Sequence, residues 1–451
     1  MSETHLDPGW VYVKHADFPV NGQGTFILTS SDYMAYQMVV TSENLSKDDL
    51  EQCRLKGRYI ALNIKGGGDD PAASFDISEE GGLRQLEFTK DDRARSQPDC
   101  QVAYWFSYDR DIMVLKYGKG YQMEETTLLT YDFLKDAKDA KDKEKVWKEY
   151  KSFFTAEIKK KVVVFGIPKL KGGVIDYTPL FQFRPNPLVG NYPALVKDSS
   201  TVTLFDLDRG QFMFSSSLPP ACRELYGNIK NLILEYPENP VLKLSDAIRY
   251  SIVTEGKTLY KKLQDKKNEF SEDKTKEGNI KETYLRITLG PDVRTGPGVP
   301  YVLEIWPSGH YSPVHNHGNT CAIIKVLFGR ITISLFNQQT SPPAEKPEFL
   351  KNFDAKEGDI TWISPDWFQT HQLMSNTDDF CATIQCYRYT DDDTIHWPGF
   401  DHPSEGTDEE GHLDVFYPNS DFTFLQMRSL VMQEYQEYLS GSKNPKKTGS
   451  A

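Results

Sequence analysis

Gly309-His-Tyr-Ser-Pro-Val-His315-Asn-His317-Gly-Asn-Thr-Cys-Ala-Ile-Ile-Lys-Val-Leu-Phe-Gly329 is the stretch that decides the fold of the C-terminal part of this chain. In a β-strand, residues i and i+2 project from the same face. His315 and His317 therefore point the same way and can share one metal ion. A third histidine, His371, ends a second glycine-led segment, Gly358-Asp-Ile-Thr-Trp-Ile-Ser-Pro-Asp-Trp-Phe-Gln-Thr-His371. Three imidazoles suit a first-row divalent metal such as Fe, Zn, Cu or Ni.

The order Gly-x5-His-x-His followed by a second Gly…His segment resembles the metal-binding cupin barrels. The resemblance implies a C-terminal cupin barrel, that is, a double-stranded β-helix or jelly roll, with His371 as the third ligand. The chain has 9 histidines, and most of them lie in its last third. The other histidines of this region are predicted not to bind the metal: His310, His396, His402 and His412.

Length and composition limit the function classes. At 451 residues the chain is expected to form two to three domains, and 38% hydrophobic residues suffice for packed cores. The net charge of −13 argues against nucleic acid or an anionic membrane as a partner. No apolar run approaches the ~20 residues of a membrane span, and the N-terminus lacks a secretory signal. Six cysteines without CxxC spacing indicate reduced thiols, and hence a cytoplasmic protein.

The fold is expected to be mainly β, with helices before the barrel and a β-rich domain at the N-terminus. Alternation and turn signals mark the strands, and residues 104–120 faintly resemble the sandwich domains of the farnesoic-acid O-methyltransferase-like group. The predicted division is a β-rich domain of unassigned role (1–130), a charged helix with further strands (131–235), the barrel domain (236–440) and a flexible tail (441–451).

Three helices are predicted from periodicity and charge. Residues 135–151 alternate acidic and basic side chains, as in a solvated helix. Residues 242–263 place Leu244, Ile248 and Ile252 at helical spacing, with Ser245-Asp246 as the start signal. Residues 266–282 are expected to be a solvated helix end and loop, and the third helix is expected within residues 421–439.

The strand that follows the histidine pair carries no carboxylate. Many metal cupins have one there, but this chain has Ala322, preceded by Cys321. The predicted ligand set is then three neutral imidazoles. No phosphate loop, Gly-x-Ser-x-Gly elbow or His-Glu-x-x-His sequence is present, so serine-hydrolase and zincin chemistry have no support.

A carboxylate-free three-histidine cupin resembles the thiol dioxygenases, and residues 241–401 resemble the cysteine dioxygenase family. Tyr284-Leu-Arg286 is similar to the family's Tyr-x-Arg segment, and residues 304–317 are similar to its run into the ligands. Lys325 and Gly329 keep the family spacing, and Thr383-Ile-Gln385-Cys-Tyr387 is similar to its Ser-x-His-x-Tyr.

The resemblance implies Fe(II) on the three histidines and oxidation of cysteine, or a related small carboxylated thiol, to a sulfinate with both atoms of O2. Arg286, assisted by Tyr284, would pair with the substrate carboxylate, for which guanidinium gives a bidentate match. Thr383, Gln385 and Tyr387 would share one face of a strand, with the Tyr387 phenol directed at the reacting groups. The alternatives are a surface ion pair for Arg286 and an ordinary core position for Tyr387.

The chain departs from the family at two positions. Animal enzymes link a cysteine to the active-site tyrosine, but an ungapped match places Ala322 there. A shift of one residue reverses the face of a strand, so Cys321 is predicted to point away, without a crosslink to Tyr387. Gln385 stands where the family often has histidine.

Two other functions remain open on the sequence alone. A cupin dioxygenase that cleaves carbon–carbon bonds, or an isomerase, would use the same three histidines. A metal-stabilised cupin could instead serve as a scaffold or sensor. The expected partners are a small-molecule thiol and O2, with no nucleic acid and no membrane, and the oligomeric state is left open.

Overall fold

A computed structural model of the chain describes residues 10–17, 22–30, 35–41, 58–67, 71–79, 82–97, 102–154, 162–168, 180–184, 187, 193–235, 242–270, 278–290, 300–336, 347, 349–365, 367–391, 400–403, 413–416 and 419–442. The chain divides into two compact units, residues 1–191 with 340–345 and residues 192–339 with 346–451. The border at 191/192 falls inside the segment 131–235 that the sequence left unassigned. The predicted tail beyond residue 442 lies outside the described residues.

The N-terminal unit is built mainly of antiparallel strands. Its elements are β1 (Trp10–Asp17), β2 (Gln23–Ser30), β3 (Tyr36–Thr41), β4 (Tyr59–Ile64), β5 (Ala73–Glu79), β6 (Gly82–Thr89), β7 (Val102–Asp109), β8 (Val114–Lys119), β9 (Thr127–Asp132), α1 (Ala140–Phe154), β10 (Val162–Pro168) and β11 (Leu180–Arg184).

Within the described ranges these strands form two sheets, β1-β10-β3-β4-β5-β6 and β11-β2-β7-β8-β9. Alternate residues of each sheet meet in one core; β4, for example, contributes Ile60, Leu62 and Ile64, and β7 contributes Tyr104 and Phe106. The two sheets therefore pack as a sandwich. Since β10 and β11 pair within these sheets, the sandwich extends beyond residue 130, where the sequence placed the end of the β-rich domain.

Helix α1 confirms the predicted charged helix, although it begins later than residue 135. The Asp139 side chain accepts hydrogen bonds from the backbone N–H groups of Lys141 and Asp142 (2.8 and 3.0 Å), which caps the helix N-terminus. The helix is anchored by Tyr150, which joins the sandwich core and accepts a hydrogen bond from Arg84 at 3.0 Å.

The C-terminal unit combines strands with helices on its outside. Its elements are β12 (Leu195–Lys197), α2 (Leu204–Arg209), β13 (Met213–Phe214), α3 (Pro220–Ile229), α4 (Leu244–Val253), α5 (Thr258–Asp265), β14 (Leu285–Leu289), β15 (Tyr301–Trp306), β16 (Cys321–Phe328), β17 (Arg330–Phe336), β18 (Phe349–Lys356), β19 (Ile360–Ile363), β20 (His371–Met374), β21 (Cys381–Arg388), β22 (Phe400–Pro403), β23 (Leu413–Phe416), β24 (Phe422–Thr423) and α6 (Phe424–Ser442).

Two sheets of this unit enclose an interior. Among the described strands the larger sheet has the order β13-β12-β19-β16-β21-β15-β14-β24, and the smaller has the order β18-β17-β20. Side chains from both sheets line a single cavity, so the sheets face each other as the two walls of a jelly roll. The prediction of a mainly β chain with a C-terminal cupin barrel is confirmed.

The predicted helix over 242–263 is two helices. Gly256, at a φ of 80°, lies between α4 and α5, and this left-handed conformation ends a helix at little cost only for glycine. The start signal was also wrong. The first N–H groups of α4, at Leu244 and Ser245, donate to the two carboxylate oxygens of Glu235 at 2.9 and 3.1 Å.

The charged run that begins at Lys266 is exposed or half-buried at its other described positions, as predicted, but Lys266 itself is buried. Lys266 is 8% exposed and its ammonium group lies 2.9 Å from a carboxylate oxygen of Asp421, which is itself buried. Asp421 also accepts a hydrogen bond from the backbone N–H of Arg286 at 2.8 Å. This ion pair therefore joins the end of α5 and β14 to the residues that lead into β24 and α6. Within the described part of the chain, no helix has the length and apolar character needed to cross a membrane.

Candidate metal centre

The His-x-His pair lies in an irregular segment and not in a regular strand. Between β15 and β16 the chain makes isolated bridges at Tyr311 and His315 only, and Pro313 between them has no N–H to donate to a ladder. The backbones of His315 and His371 exchange two hydrogen bonds of 3.0 Å each. The two ligand segments are thus held side by side by main-chain bonds.

The three predicted ligands meet in one cluster. Their ring centroids are separated by 4.9 Å (His315–His317), 5.0 Å (His315–His371) and 4.8 Å (His317–His371). All three side chains are buried, and one ligand atom from each lies within 4.8 Å of the others. Among the described residues, this is the group of His, Cys, Asp and Glu side chains that could hold a metal ion.

Hydrogen bonds orient two of the rings for metal binding. Nδ1 of His315 lies 3.0 Å from the carbonyl oxygen of Pro313, and Nδ1 of His371 lies 3.0 Å from that of Phe368. Because a carbonyl can only accept, each Nδ1 carries the proton and each Nε2 is left with its lone pair. The backbone therefore selects the tautomer that a metal requires.

The separation of the ring nitrogens also fits one metal. Nε2 of His317 and Nε2 of His371 are 3.2 Å apart. Two nitrogens that each bind a metal at about 2.1 Å lie about 3.0 Å apart in octahedral geometry and about 3.4 Å apart in tetrahedral geometry. The observed distance falls between these two values.

Burial keeps two of the three imidazoles neutral. It lowers the pKa of His371 to about 4. It also lowers the pKa of His317 well below its usual range, with further lowering from the charges of His371, His315 and Arg286. Neutral imidazoles are the ligating form, so His317 and His371 are in the form that binds a metal at neutral pH.

Gln369 joins the two ligand segments and was not predicted. Its side-chain oxygen accepts from the backbone N–H of Asn319 at 3.1 Å, and its side-chain nitrogen donates to the carbonyls of Thr320 and Ser364 at 2.8 Å each. Its position two residues before His371 was the available signal, since an amide side chain offers two N–H donors and a carbonyl acceptor.

A chain of polar side chains lines the wall of the same cavity. Arg286 Nη1 donates to Glu304 Oε1 at 2.9 Å. The second oxygen of Glu304 accepts from the Gln385 side-chain nitrogen, and the Gln385 oxygen accepts from the Tyr387 hydroxyl. Tyr387 in turn stacks on His317, with ring centroids 5.7 Å apart and an interplanar angle of 18°.

Every predicted substrate-side residue therefore reaches the cavity. Tyr284, Arg286, Thr383, Gln385 and Tyr387 all line it, and period-two alternation does place the last three on one face of β21. The surface alternative for Arg286 was wrong, because its side chain is buried.

Burial and pairing shift the pKa values of the charged groups along this wall in opposite directions. Burial alone would lower the pKa of the Arg286 guanidinium, but the charge of Glu304 raises it overall. Burial raises the pKa of Glu304 overall, and the charge of Arg286 opposes that shift without cancelling it. Burial and the Glu304 charge raise the pKa of Tyr387, so its phenol stays protonated at neutral pH.

Glu304 is the residue that the sequence comparison missed. Glu304 belongs to the segment 304–317 that is similar to the family's, but it is also an acidic residue in an otherwise apolar strand, Tyr-Val-Leu-Glu-Ile-Trp. Alternation places Glu304 on the same face as Val302 and Trp306, which was the available signal. Inside the barrel such a charge requires a partner.

Cys321 lies on the opposite face of β16 from the cavity, as predicted. Ala322 is the residue that pairs with Tyr387 across the sheet and packs against it. Cys321 hydrogen-bonds Cys222 of α3. A Cys321–Tyr387 crosslink therefore has no support in the geometry.

Of the other histidines, His310 lies apart from the cluster. Its Nδ1 is 2.8 Å from the carbonyl oxygen of Thr283. His396 and His412 lie outside the described residues, as do Cys53 and Cys100. The remaining cysteines are free and buried: Cys222, Cys321, Cys381 and Cys386.

The rest of the cavity is apolar and small. Its second wall consists of Ile331, Ile333 and Leu335 of β17 with Phe353 and Ala355 of β18. Its volume is about 30 Å³, and roughly 10–15 Å³ is needed for each water molecule. The arrangement thus accommodates a metal ion and a ligand of few atoms, with polar contacts on one side only.

No protein-family model matches the chain. A solved structure of oxalate oxidase in complex with the substrate analogue glycolate is similar over 27% of this chain and 59% of that one, with 17% identity and a TM-score of 0.19. A Cupin 2 conserved barrel domain protein from Salinispora arenicola CNS-205 is similar over 24% and 78%, with 14% identity and a TM-score of 0.19.

A structure of DMSP lyases is similar over 23% of this chain and 47% of that one, with 14% identity and a TM-score of 0.17. The chain spans about three fifths of the oxalate oxidase that it matches. At these TM-scores the similarities carry no inference about activity, and the cupin fold of the C-terminal unit rests on its own strand order.

Proposed function

We propose that this protein is an iron-dependent thiol dioxygenase. The observation that carries the proposal is a group of three buried histidines that could hold a metal ion, without a carboxylate among them, set beside Tyr387 and the Arg286–Glu304 pair in one buried cavity. Imidazole ligands suit iron, and three protein ligands leave coordination positions open for a substrate and O2.

The proposed reaction takes R–SH and O2 to R–SO2H. Both oxygen atoms form bonds to sulfur, so the atoms balance without a further oxidant or reductant. When bound, iron would supply thiol deprotonation and the activation of O2. The chain's own groups supply placement and the exclusion of water.

His315, His317 and His371 would hold the metal, and hydrogen bonds to backbone carbonyls fix the orientation of the His315 and His371 rings. Tyr387 would place a neutral phenol next to the reacting sulfur, because its raised pKa keeps the proton on oxygen. In the present arrangement that hydroxyl donates to Gln385. The apolar wall of β17 and β18 keeps bulk water away from the opposite side.

The test is O2 consumption by the protein after anaerobic loading with Fe(II), measured with several small thiols, together with mass spectrometry of the product. We expect O2 uptake with at least one thiol and a product heavier by two oxygen atoms. His371→Ala serves as the inactive control and His310→Ala as the active one.

Two results would contradict this function. O2 uptake with diketones or catechols and with no thiol would favour the carbon–carbon-cleaving alternative. Tight metal binding without O2 uptake on any of these compounds would favour a scaffold or sensor.

A further inference from the structure

The register of two strands decides what Arg286 binds. Arg286 of β14 stands directly opposite Glu304 of β15, and their side chains form an ion pair of 2.9 Å. The side chains are only 10% and 4% exposed. Directly opposed residues of an antiparallel pair have their Cβ atoms about 5 Å apart. The register of the two strands therefore holds the Arg286 and Glu304 side chains next to each other.

Glu304 is held on both sides. One carboxylate oxygen accepts from Arg286 and the other from the Gln385 side-chain nitrogen. The guanidinium also hydrogen-bonds Tyr387. The positive charge that the sequence assigned to a substrate carboxylate is therefore already balanced by the protein's own carboxylate.

A substrate carboxylate at this wall would meet two costs. It would lie next to Glu304, and like charges placed together in a buried site disfavour binding strongly. If it displaced Glu304 from Arg286, it would leave a buried carboxylate without its counter-charge. A thiol that carries only an amine meets neither cost.

We propose that Glu304 sets the substrate class of this site, which rests on the thiol dioxygenase function proposed above. Glu304 excludes thiols that carry a carboxylate and admits small thiols that carry an amine and no carboxylate. This replaces the carboxylated thiol that the sequence resemblance implied.

The test separates binding from turnover. Protein loaded with Fe(II) is titrated without O2 by calorimetry, using cysteamine (amine only), 3-mercaptopropionate (carboxylate only) and L-cysteine (both). We expect cysteamine to bind at least about tenfold more tightly than 3-mercaptopropionate, with L-cysteine nearer to the weaker ligand. Equal or reversed preference in the unmodified protein would overturn the proposal.

Variants of the Arg286–Glu304 pair test whether the charge of Glu304 causes the preference for cysteamine. Glu304→Gln keeps the shape and removes the charge, so the preference for cysteamine should fall by about tenfold or reverse. The exposed Glu357→Gln in the same unit is the matched control and should leave the preference unchanged. An unchanged preference in Glu304→Gln would assign the selection to another group.

A second variant is needed because Glu304→Gln leaves Arg286 without its counter-charge, which could unfold the barrel. Arg286→Met with Glu304→Leu removes both charges, and replacing a buried ion pair by apolar residues is often neutral for stability. The double variant should bind cysteamine and 3-mercaptopropionate with affinities within a few-fold. Persistent rejection of 3-mercaptopropionate would contradict the assignment to Glu304.

Binding and turnover fail in different ways. Tight cysteamine binding without O2 uptake on later aeration would reject the dioxygenase function and leave the charge assignment standing. Turnover with a preference for L-cysteine would support the dioxygenase function and reject the role of Glu304 in substrate selection. Absence of binding by all three thiols would overturn both.

Discussion

His371 shows how much a single imidazole contributes to this site. It exchanges backbone hydrogen bonds with His315 and brings its Nε2 to 3.2 Å from that of His317. We expect His371→Ala to lose stoichiometric Fe(II) after loading and gel filtration, since two neutral imidazoles are a poor ligand set. Metal content by elemental analysis is the measurement. His310→Ala, which changes a histidine outside the cluster, should keep the metal; equal loss in both variants would contradict the three-histidine assignment.

Tyr387 can be tested without disturbing its packing. Tyr387→Phe keeps the ring that stacks on His317 and removes the hydroxyl that donates to Gln385. We expect kcat for thiol oxidation to fall about tenfold or more, as for loss of one hydrogen bond to a reacting group, with thiol affinity within a few-fold of the original. Steady-state kinetics paired with anaerobic binding measure the two effects. A change in affinity alone would give Tyr387 a structural role only.

At the scale of elements, features that depend on residue spacing along the chain were predicted, whereas contacts between elements were not. His-x-His and the alternation in Thr383, Gln385 and Tyr387 depend on neighbours along the chain, and both were found together in the cavity. The cap of α4 by Glu235 comes from outside the helix. The Arg286–Glu304 pair depends on the register of two strands. Neither could be obtained from local periodicity, because tertiary contacts determine both.

The Lys266–Asp421 pair is the element-scale contact that we expect to affect stability most. It connects α5, β14 and the start of β24, and both side chains are less than a tenth exposed. Asp421→Ala should lower the free energy of unfolding by about 1–3 kcal/mol, because the backbone N–H of Arg286 loses its acceptor. Among the described residues, Lys266 then keeps only Glu269 as an ion-pair partner, at 3.0 Å. Urea unfolding followed by fluorescence measures the change.

The matched control is Asp246→Ala, which removes a half-exposed partner of Arg249, while Asp379 still pairs with that arginine. Its effect should stay within about 1 kcal/mol. Equal effects of the two substitutions would mean that Glu269 alone compensates Lys266 and that water replaces Asp421 at the backbone N–H of Arg286.

For the whole molecule, the C-terminal unit holds all the residues that the proposed function uses. The three ligands, the polar wall and the apolar wall all fall within residues 192–339 and 346–451, and this unit has its own interior. The sequence located the barrel from its histidines. It could not locate the border at 191/192. Strands β10 and β11 complete the N-terminal sandwich, but a charged helix separates them from the other strands along the chain, so their sequence does not show which sheets they join.

This organisation makes a prediction for the isolated unit. Residues 192–451 expressed alone should unfold in one cooperative transition and bind one Fe(II) per chain, since a domain with its own core folds independently. Thermal unfolding with and without metal is the measurement, and bound metal should raise Tm because it binds the folded state only. His371→Ala in the same fragment should abolish the shift. A fragment that folds but binds no metal, while the full chain binds it, would show that the N-terminal unit is needed to form the site.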